Sequence, residues 1–421
     1  HVQFLMGKAA AMPPTYITHM EEMTNIIPSM RFDEFKYSWK VTTLGEITRQ
    51  YRESNKNVHH QNLLSLSYGK IVRKDIESKK GLLPASFDTY QIIKKDIIVF
   101  RVTDLQNDKK SLRVGISEEE GIITPAYVCV ECDTRVVDPH YLYTLLHYYD
   151  DITKVYYKMG DGMRQTLAYS DLKELKVYLP NFPEQHKIVE CFELLDKQIQ
   201  ISSKKIASLR QMKTASLHAM FPQKGETRPR VRFKGFEDEY SSMTANELFK
   251  TFDERNHPEL PVLSACQDIR GMAPRSESGY DIFHDKSNEV TYKRVLPGQF
   301  VIHLRSFQGG FAHSSVEGIC SPAYTVFGFK EDDKHDDYYW KYIFMSKAFI
   351  DRLKLITYGI RDGRSISFKE FMEMDFVFPS YEEQKQISIF FRTIDKQISL
   401  EEQKLESLKR IKSSCLDKMF V

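Results

Sequence analysis

The stretch NFPEQHKIVECFELLDKQI, residues 181–199, returns in altered form as SYEEQKQISIFFRTIDKQI at residues 380–398. Between positions 183 and 199, eight of seventeen residues are identical to those found 199 positions later. The identical pairs are Glu184/Glu383, Gln185/Gln384, Ile188/Ile387, Phe192/Phe391, Asp196/Asp395, Lys197/Lys396, Gln198/Gln397 and Ile199/Ile398. Self-similarity at a fixed offset predicts an internal duplication.

Both copies open with a helix start signal. Asn181 with Glu184, and Ser380 with Glu383, have capping-box spacing, and a proline precedes each pair. Apolar residues then recur at heptad spacing, as in a coiled coil. The predicted seam comprises Ile188, Phe192, Leu195, Ile199, Ile206 and Leu209, then Ile387, Phe391, Ile394, Ile398, Leu405 and Leu408. Polar residues interrupt it at the matched positions Ser202/Glu401 and Lys213/Lys412.

Each copy extends to a Met-Phe pair, which predicts a helix of about 39 residues, roughly 58 Å long. A helix of this length cannot bury its seam alone, whereas two helices with the same seam can pack antiparallel. An alternative remains, in which both are ordinary core helices of two duplicated domains. Helices beyond about 25 residues are uncommon inside compact domains, so we favour a helical spacer.

Short alternating apolar runs with turn residues between them precede each helix and predict two mostly-β heads. Matching fragments, such as MRFDEF at 30–35 and VRFKGF at 231–236, extend the duplication into the heads. The predicted fold is α+β, with two mostly-β domains separated by a pair of long antiparallel coiled-coil helices and related by pseudo-twofold symmetry. The predicted boundaries are 1–22, a segment expected to come from the expression vector; 23–180, head 1; 181–221, central helix; 222–230, linker; 231–379, head 2; and 380–421, C-terminal helix.

Composition indicates a globular protein without a membrane span. Of 421 residues, 41% are hydrophobic and 28% are charged, and the formal net charge is +2. Six unevenly spaced cysteines favour a reducing, cytoplasmic environment. Cys129 and Cys132 form a CxxC, but Val326 and Phe329 occupy the matched positions of the second copy. We therefore expect strand core rather than zinc, and no bound metal.

Grouped cations on predicted loops are candidate contacts to DNA, since arginine and lysine neutralise phosphates while arginine and glutamine read base edges. The candidates are Lys70, Arg73, Lys74, Arg101, Lys109, Lys110, Arg113, Arg164, Arg270, Arg275, His303, Arg305, Gln308, Arg361 and Arg364. Any single cluster is more often ordinary solvated surface. The sequence contains no nucleotide-binding P-loop, dinucleotide fingerprint or HExxH motif, so no catalytic residues are predicted.

These features resemble the specificity subunits of Type I restriction–modification enzymes. The resemblance rests on the lead-ins PNFPEQHKI and PSYEEQKQI, on DKQI in each copy, and on the helix ends LHAMF and LDKMF. It covers residues 23–421, although the usual proline-rich lead is reduced to Asn181-Phe182-Pro183 and Ser380-Tyr381-Glu382.

The resemblance implies a non-catalytic subunit in which each head reads half of a bipartite site on double-stranded DNA. The helices would set the gap and dock two methyltransferase subunits, which carry the S-adenosylmethionine. Restriction/translocase subunits would complete the assembly. Two alternatives stay open: a coiled-coil scaffold binding other proteins, and a recognition subunit of a related system with a fused nuclease–methyltransferase partner.

Overall fold

Two compact units make up the chain in the computed structural model. Unit 1 comprises His1–Gln200 with Glu406–Val421, and unit 2 comprises Ile201–Leu405. The structure describes residues 26–56, 58–74, 84, 86–102, 113–148, 167–223, 225–266, 271–277, 286–303, 310–353, 357–358 and 365–420. The segment 1–22 lies outside these ranges. Each unit contains one head and parts of both long helices.

Unit 1 is a mostly-β head followed by the first half of a long helix. Its elements are β1 (Lys40–Thr43), α1 (Leu44–Ile47), β2 (Thr48–Tyr51), β3 (Leu64–Ser67), β4 (Lys70–Arg73), β5 (Gln91–Ile93), β6 (Ile98–Arg101), β7 (Val114–Ile116), β8 (Gly121–Ile123), β9 (Tyr127–Cys132), α2 (Pro139–Tyr148), α3 (Tyr169–Leu172), β10 (Lys176–Leu179) and α4 (Phe182–Met220). The central sheet is antiparallel in the order β2-β9-β6-β7, and β1–β10, β3–β4 and β5–β8 form ribbons.

The central sheet of unit 1 is buried on both faces. Ile98 and Phe100 point into one core with Tyr141 and Phe192, whereas Val99 points into a second core with Leu64. Successive side chains of a strand alternate between faces, so each strand serves both cores. The first core includes residues of α4, which joins the head to its helix.

Unit 2 repeats this order with additional short elements. Its elements are β11 (Ser241–Thr244), α5 (Ala245–Leu248), β12 (Phe249–Phe252), β13 (Leu263–Ala265), β14 (Met272–Pro274), β15 (Lys293–Val295), β16 (Phe300–Ile302), β17 (Phe311–His313), β18 (Gly318–Cys320), β19 (Thr325–Phe329), α6 (Asp337–Met345), α7 (Lys347–Leu353), β20 (Thr357–Tyr358), β21 (Ser365–Ile366), α8 (Phe368–Met372), β22 (Asp375–Phe378) and α9 (Tyr381–Met419). Its central sheet has the order β12-β19-β16-β17, which matches that of unit 1 strand for strand.

The long helices α4 and α9 each span 39 residues and run antiparallel within both units. In unit 1, Lys412 Nζ lies 2.6 Å from Asp196 Oδ1, and the rings of Phe192 and Phe420 stack at 5.8 Å. In unit 2 the matched contacts are Lys213 to Asp395 at 2.5 Å and Phe221 to Phe391 at 5.8 Å. The predicted fold class, with duplicated mostly-β heads and long antiparallel helices, is confirmed.

The helix starts differ in one respect from the predicted capping boxes. Asn181 Oδ1 accepts the backbone N–H of Glu184 at 3.0 Å, as expected of an N-cap. The Glu184 carboxylate, however, accepts a bidentate pair from Arg31, with Nε at 2.6 Å and Nη2 at 2.7 Å. The prediction that this glutamate closes a capping box is wrong, because the arm before the head supplies a charged partner instead.

The same ion pair recurs in unit 2. Arg232 donates to Glu383 through Nε at 3.0 Å and Nη2 at 2.7 Å. Both glutamate side chains are 1% exposed, and the arginine side chains are 9% and 15% exposed. An arm at the start of each head is therefore held to the first turn of its helix by a buried bidentate pair.

The glutamine after each glutamate fixes the helix to the head from another side. Gln185 Oε1 accepts the backbone N–H of Asp138 at 2.8 Å, and Gln384 Oε1 accepts that of Asp336 at 3.1 Å. Asp138 and Asp336 cap helices α2 and α6. The repeated Glu-Gln dipeptide thus joins three separate segments in each unit.

Arg31→Ala and Arg232→Ala should each lower the free energy of unfolding of the unit concerned by about 3–5 kcal/mol, because a buried carboxylate loses its cation. Arg49→Ala is the matched control, since the Arg49–Glu131 pair is exposed and should contribute about 0–1 kcal/mol. Denaturant titration of the three variants gives the comparison. Equal losses for Arg31→Ala and Arg49→Ala would contradict the structural role of the buried pair.

Candidate nucleic-acid interface and helix surfaces

The predicted DNA contacts divide into described and undescribed residues. Lys109, Lys110, Arg164, Arg270, Arg305, Gln308, Arg361 and Arg364 lie outside the described residues. The described candidates are Lys70, Arg73, Lys74, Arg101, Arg113, Arg275 and His303. Their surroundings separate surface cations from buried ones.

The β3–β4 hairpin carries three of the surface cations, Lys70, Arg73 and Lys74, all exposed. Arg73 Nε lies 2.7 Å and 2.9 Å from the two carboxylate oxygens of Glu119. This hydrogen-bonded pair raises the pKa of Arg73 and lowers that of Glu119. Part of the charge on this hairpin is therefore neutralised within the protein.

The tip of the same hairpin is a further candidate that the sequence did not single out. Tyr68 and Gly69 form its two-residue turn with φ of 47° and 75°, the positive values of a type I′ turn. The Tyr68 side chain is 75% exposed, and Tyr143 OH donates to Gly69 O at 3.0 Å from the head. An exposed aromatic ring beside Lys70 suits stacking on a nucleobase. The sequence signal for this turn is the dipeptide Tyr68-Gly69 between two runs of alternating apolar and polar residues.

Two predicted contacts are buried. Arg113 is 1% exposed and His303 is 7% exposed, so neither presents its side chain to solvent. The interpretation of these residues as surface contacts is wrong, because each lies next to the end of a strand, β7 or β16, with its side chain covered by the protein. Arg275 and Arg101 are half-buried, and Arg275 Nε lies 3.5 Å from Ser264 Oγ.

A cleft of about 770 Å³ in unit 1 adds candidates that the sequence did not single out. Its polar lining includes Gln50, Arg52, Tyr90, Gln91 and Tyr127. Gln91 Nε2 donates to Tyr127 O at 2.9 Å.

In unit 2 the corresponding bond comes from Lys293 Nζ to Tyr324 O, also at 2.9 Å. The two heads therefore share the same backbone arrangement at this position, which we call the shared frame, but one places a glutamine amide on it and the other a lysine ammonium group.

The side chains of the predicted helix seam are buried to different extents along the helices. Buried seam residues are Ile188, Phe192, Ile206, Ile387, Phe391 and Ile394, and half-buried ones are Leu195, Ile199, Leu209, Ile398, Leu405 and Leu408. The buried residues at the start of each helix also pack in the head cores.

Apolar residues also project outward from both helices, at positions related by the repeat. Ile201 and Leu400 are matched and are 46% and 55% exposed, and Met212 and Ile411 are matched and are 43% and 50% exposed. In each helix the two residues are eleven positions apart, which places them on one face after three turns. We call these four residues the matched apolar stripe.

The two cysteines of the CxxC belong to different cores. Cys129 packs with Val99 in one, and Cys132 packs with Val130 in the other, on opposite faces of the sheet. The strand register places Val326 and Phe329 at the equivalent positions of unit 2. In the described part of the chain, no group of three or more His, Cys, Asp or Glu residues could hold a metal ion.

Nor does any described helix have the length and apolarity to cross a membrane.

A family model described as "Type I restriction modification DNA specificity domain" matches the chain twice, at residues 38–211 and 242–410. Together the matches cover most of the sequence, one for each head with its helix. The chain belongs to this family.

One solved structure of a specificity subunit has the same fold. A Type I restriction–modification system S subunit from M. genitalium superposes with a TM-score of 0.56 at 14% identity, over 94% of this chain and 99% of that one. An HsdS subunit from Thermoanaerobacter tengcongensis gives a TM-score of 0.46 at 16% identity, covering 93% of this chain and 99% of its own.

Burial predicts which cysteine thiols of this chain resist modification by a disulfide reagent. It raises the pKa of Cys129, Cys132 and Cys320 to about 12. At pH 8 these thiols are therefore almost entirely protonated, and the thiolate is the reactive form. Titration with a disulfide reagent should leave these three unmodified in the folded chain and modify all six in denaturant. Rapid native modification of Cys129 or Cys132 would contradict their place in the cores.

Proposed function

We propose that this chain is the sequence-specific DNA recognition subunit of a Type I restriction–modification complex, in which each head reads half of a bipartite site. The observation that carries the proposal is the duplication itself: two specificity-domain matches, one per head, on a shared frame. Residues facing that frame differ between heads, as Gln91 and Lys293 do. Two unlike readers in one chain suit an asymmetric, two-part target.

Affinity for DNA would come partly from partner subunits. The net charge of +2 is small for a protein that grips DNA alone, and Arg73 is already paired with Glu119. Tyr68 and Lys70 at the hairpin tip would contribute stacking and phosphate contact in head 1. The helices would hold the heads at a fixed separation, which sets the unread gap.

The matched apolar stripe supports docking of two identical partners, one for each copy of the repeat. We assign these partners as methyltransferase subunits that bind S-adenosylmethionine, and this chain would serve them as a non-catalytic subunit. Restriction/translocase subunits would join the full complex. Exposed apolar residues at matched positions fit a partner that buries the same surface twice.

Selection from a random duplex DNA pool tests the recognition role, using this chain co-expressed with the methyltransferase encoded beside it. Enrichment of a two-part motif with a fixed unspecified gap is expected. Salt-sensitive retention without any motif would leave a non-specific DNA binder. A stable complex that retains no DNA would instead favour a protein-binding scaffold.

Ile201→Glu and Leu400→Glu should each reduce bound methyltransferase from two per chain to one, because a carboxylate would be buried in an apolar contact. The double variant should bind none. Light scattering of the purified complexes gives the stoichiometry. Ile389→Glu is the control, since Ile389 is 52% exposed on the same helix but has Glu190 at its matched position. If Ile389→Glu lost a methyltransferase subunit while Ile201→Glu and Leu400→Glu kept both, the matched apolar stripe would not be the docking surface.

A further inference from the structure

Ser202 and Glu401 occupy the same position of the repeat, 199 residues apart, and contact each other. Each stands at the middle of its long helix, and both are buried, with exposures of 0% and 7%. A duplicated helix that pairs with its own copy brings equivalent positions together at its midpoint. At that point the two copies differ.

Both oxygens of the Glu401 carboxylate have donors from α4. Ser202 Oγ donates to Oε1 at 2.7 Å, and Lys205 Nζ lies 2.8 Å from Oε2. Lys404 of the same helix lies 3.7 Å from Oε1. Hydrogen bonds from Lys205 and Ser202 lower the pKa of Glu401, so it is ionised at neutral pH.

The lysines around this carboxylate are themselves matched, since Lys205 and Lys404 are 199 residues apart. The charge pairs on either side are also alike: Asp196 with Lys412 repeats as Asp395 with Lys213. Those flanking pairs could form equally well between two copies of α4 or two copies of α9. Among these buried and flanking contacts, only position 202/401 distinguishes the helices.

Pairing of like helices would fail at this position. Two α9 helices would bring two glutamates into the space that holds one carboxylate and one hydroxyl. Even with a Lys404 beside each glutamate, excess volume and repulsion between the adjacent carboxylates would oppose this pairing. Two α4 helices would leave two serines and two lysines without a carboxylate. Arg210 and Glu402 also pair across the helices, but both are exposed and such pairs contribute little.

We propose that the Ser202–Glu401 pair makes helix pairing heterotypic, so that α4 accepts α9 while neither helix accepts its own counterpart from a second chain. This goes beyond DNA recognition and partner docking, because it determines which helices of which chains associate. At this buried midpoint the asymmetry is one residue, serine in α4 and glutamate in α9. It keeps a duplicated seam from joining two chains through like helices.

Exchanging the two residues tests the proposal. The double variant Ser202→Glu/Glu401→Ser moves the carboxylate to α4 and the hydroxyl to α9. The carboxylate at position 202 would then contact Lys404, just as Glu401 now contacts Lys205. Each single exchange should lower the Tm by roughly 4–8 °C, and the double exchange should return to within about 2 °C of the parent chain. Losses that simply add in the double variant would overturn the proposal.

Measuring the molar mass in solution shows whether two chains associate, which a stability measurement does not. Glu401→Ser places serine at both positions and removes the discrimination, so dimers should appear as concentration rises. The parent chain and the double exchange should stay at one chain, 49.3 kDa. Glu402→Ser, which removes a neighbouring exposed carboxylate, is the control and should not change the mass. A Glu401→Ser chain that remains monomeric over the same concentrations would overturn the exclusion of a second chain.

Discussion

A buried carboxylate in the first turn of each long helix is the constraint on which the rest of the structure depends. Glu184 and Glu383 are shielded from water and are held in place by Arg31 and Arg232 from the arms before the heads. A carboxylate in such a site is tolerated only with its cation and hydrogen bonds in place. The head, its arm and its helix therefore stabilise one another through this ion pair.

The fixed start of each helix belongs to the part that the two units share, whereas the head surfaces differ between them. Glutamate and glutamine hold the helix to the arm and to the cap of α2 or α6. Their partners are backbone groups, one arginine and aromatic donors such as Trp39 and Tyr240. None of these contacts involves the hairpin tips or the cleft. Surface residues there can vary without disturbing the joint, as the proposed reading of two different half-sites would require.

The sequence predicted the helices well because heptad spacing and capping signals are local. It also predicted the core role of Cys129 and Cys132, since the second copy has apolar residues in their places. Local rules failed where a distant residue competes: the Asn181–Glu184 spacing predicts a capping box, but Arg31 binds that glutamate more strongly than a backbone N–H. Charge patterns predicted contacts least well, because clustering in sequence does not show that Arg113 and His303 face inward.

Exchange of one head for the other tests most directly whether the joint and the reading surface are independent. Residues 38–180 would be replaced by residues 239–379, with junctions just after the carbonyls of Tyr37 and Asp238 that accept from the arm arginines. Selection from random duplex DNA in the presence of the methyltransferase would follow. The account predicts that the same half-site is read on both sides of an unchanged gap. A folded chain that still selects the original two-part motif, or a changed gap, would contradict it.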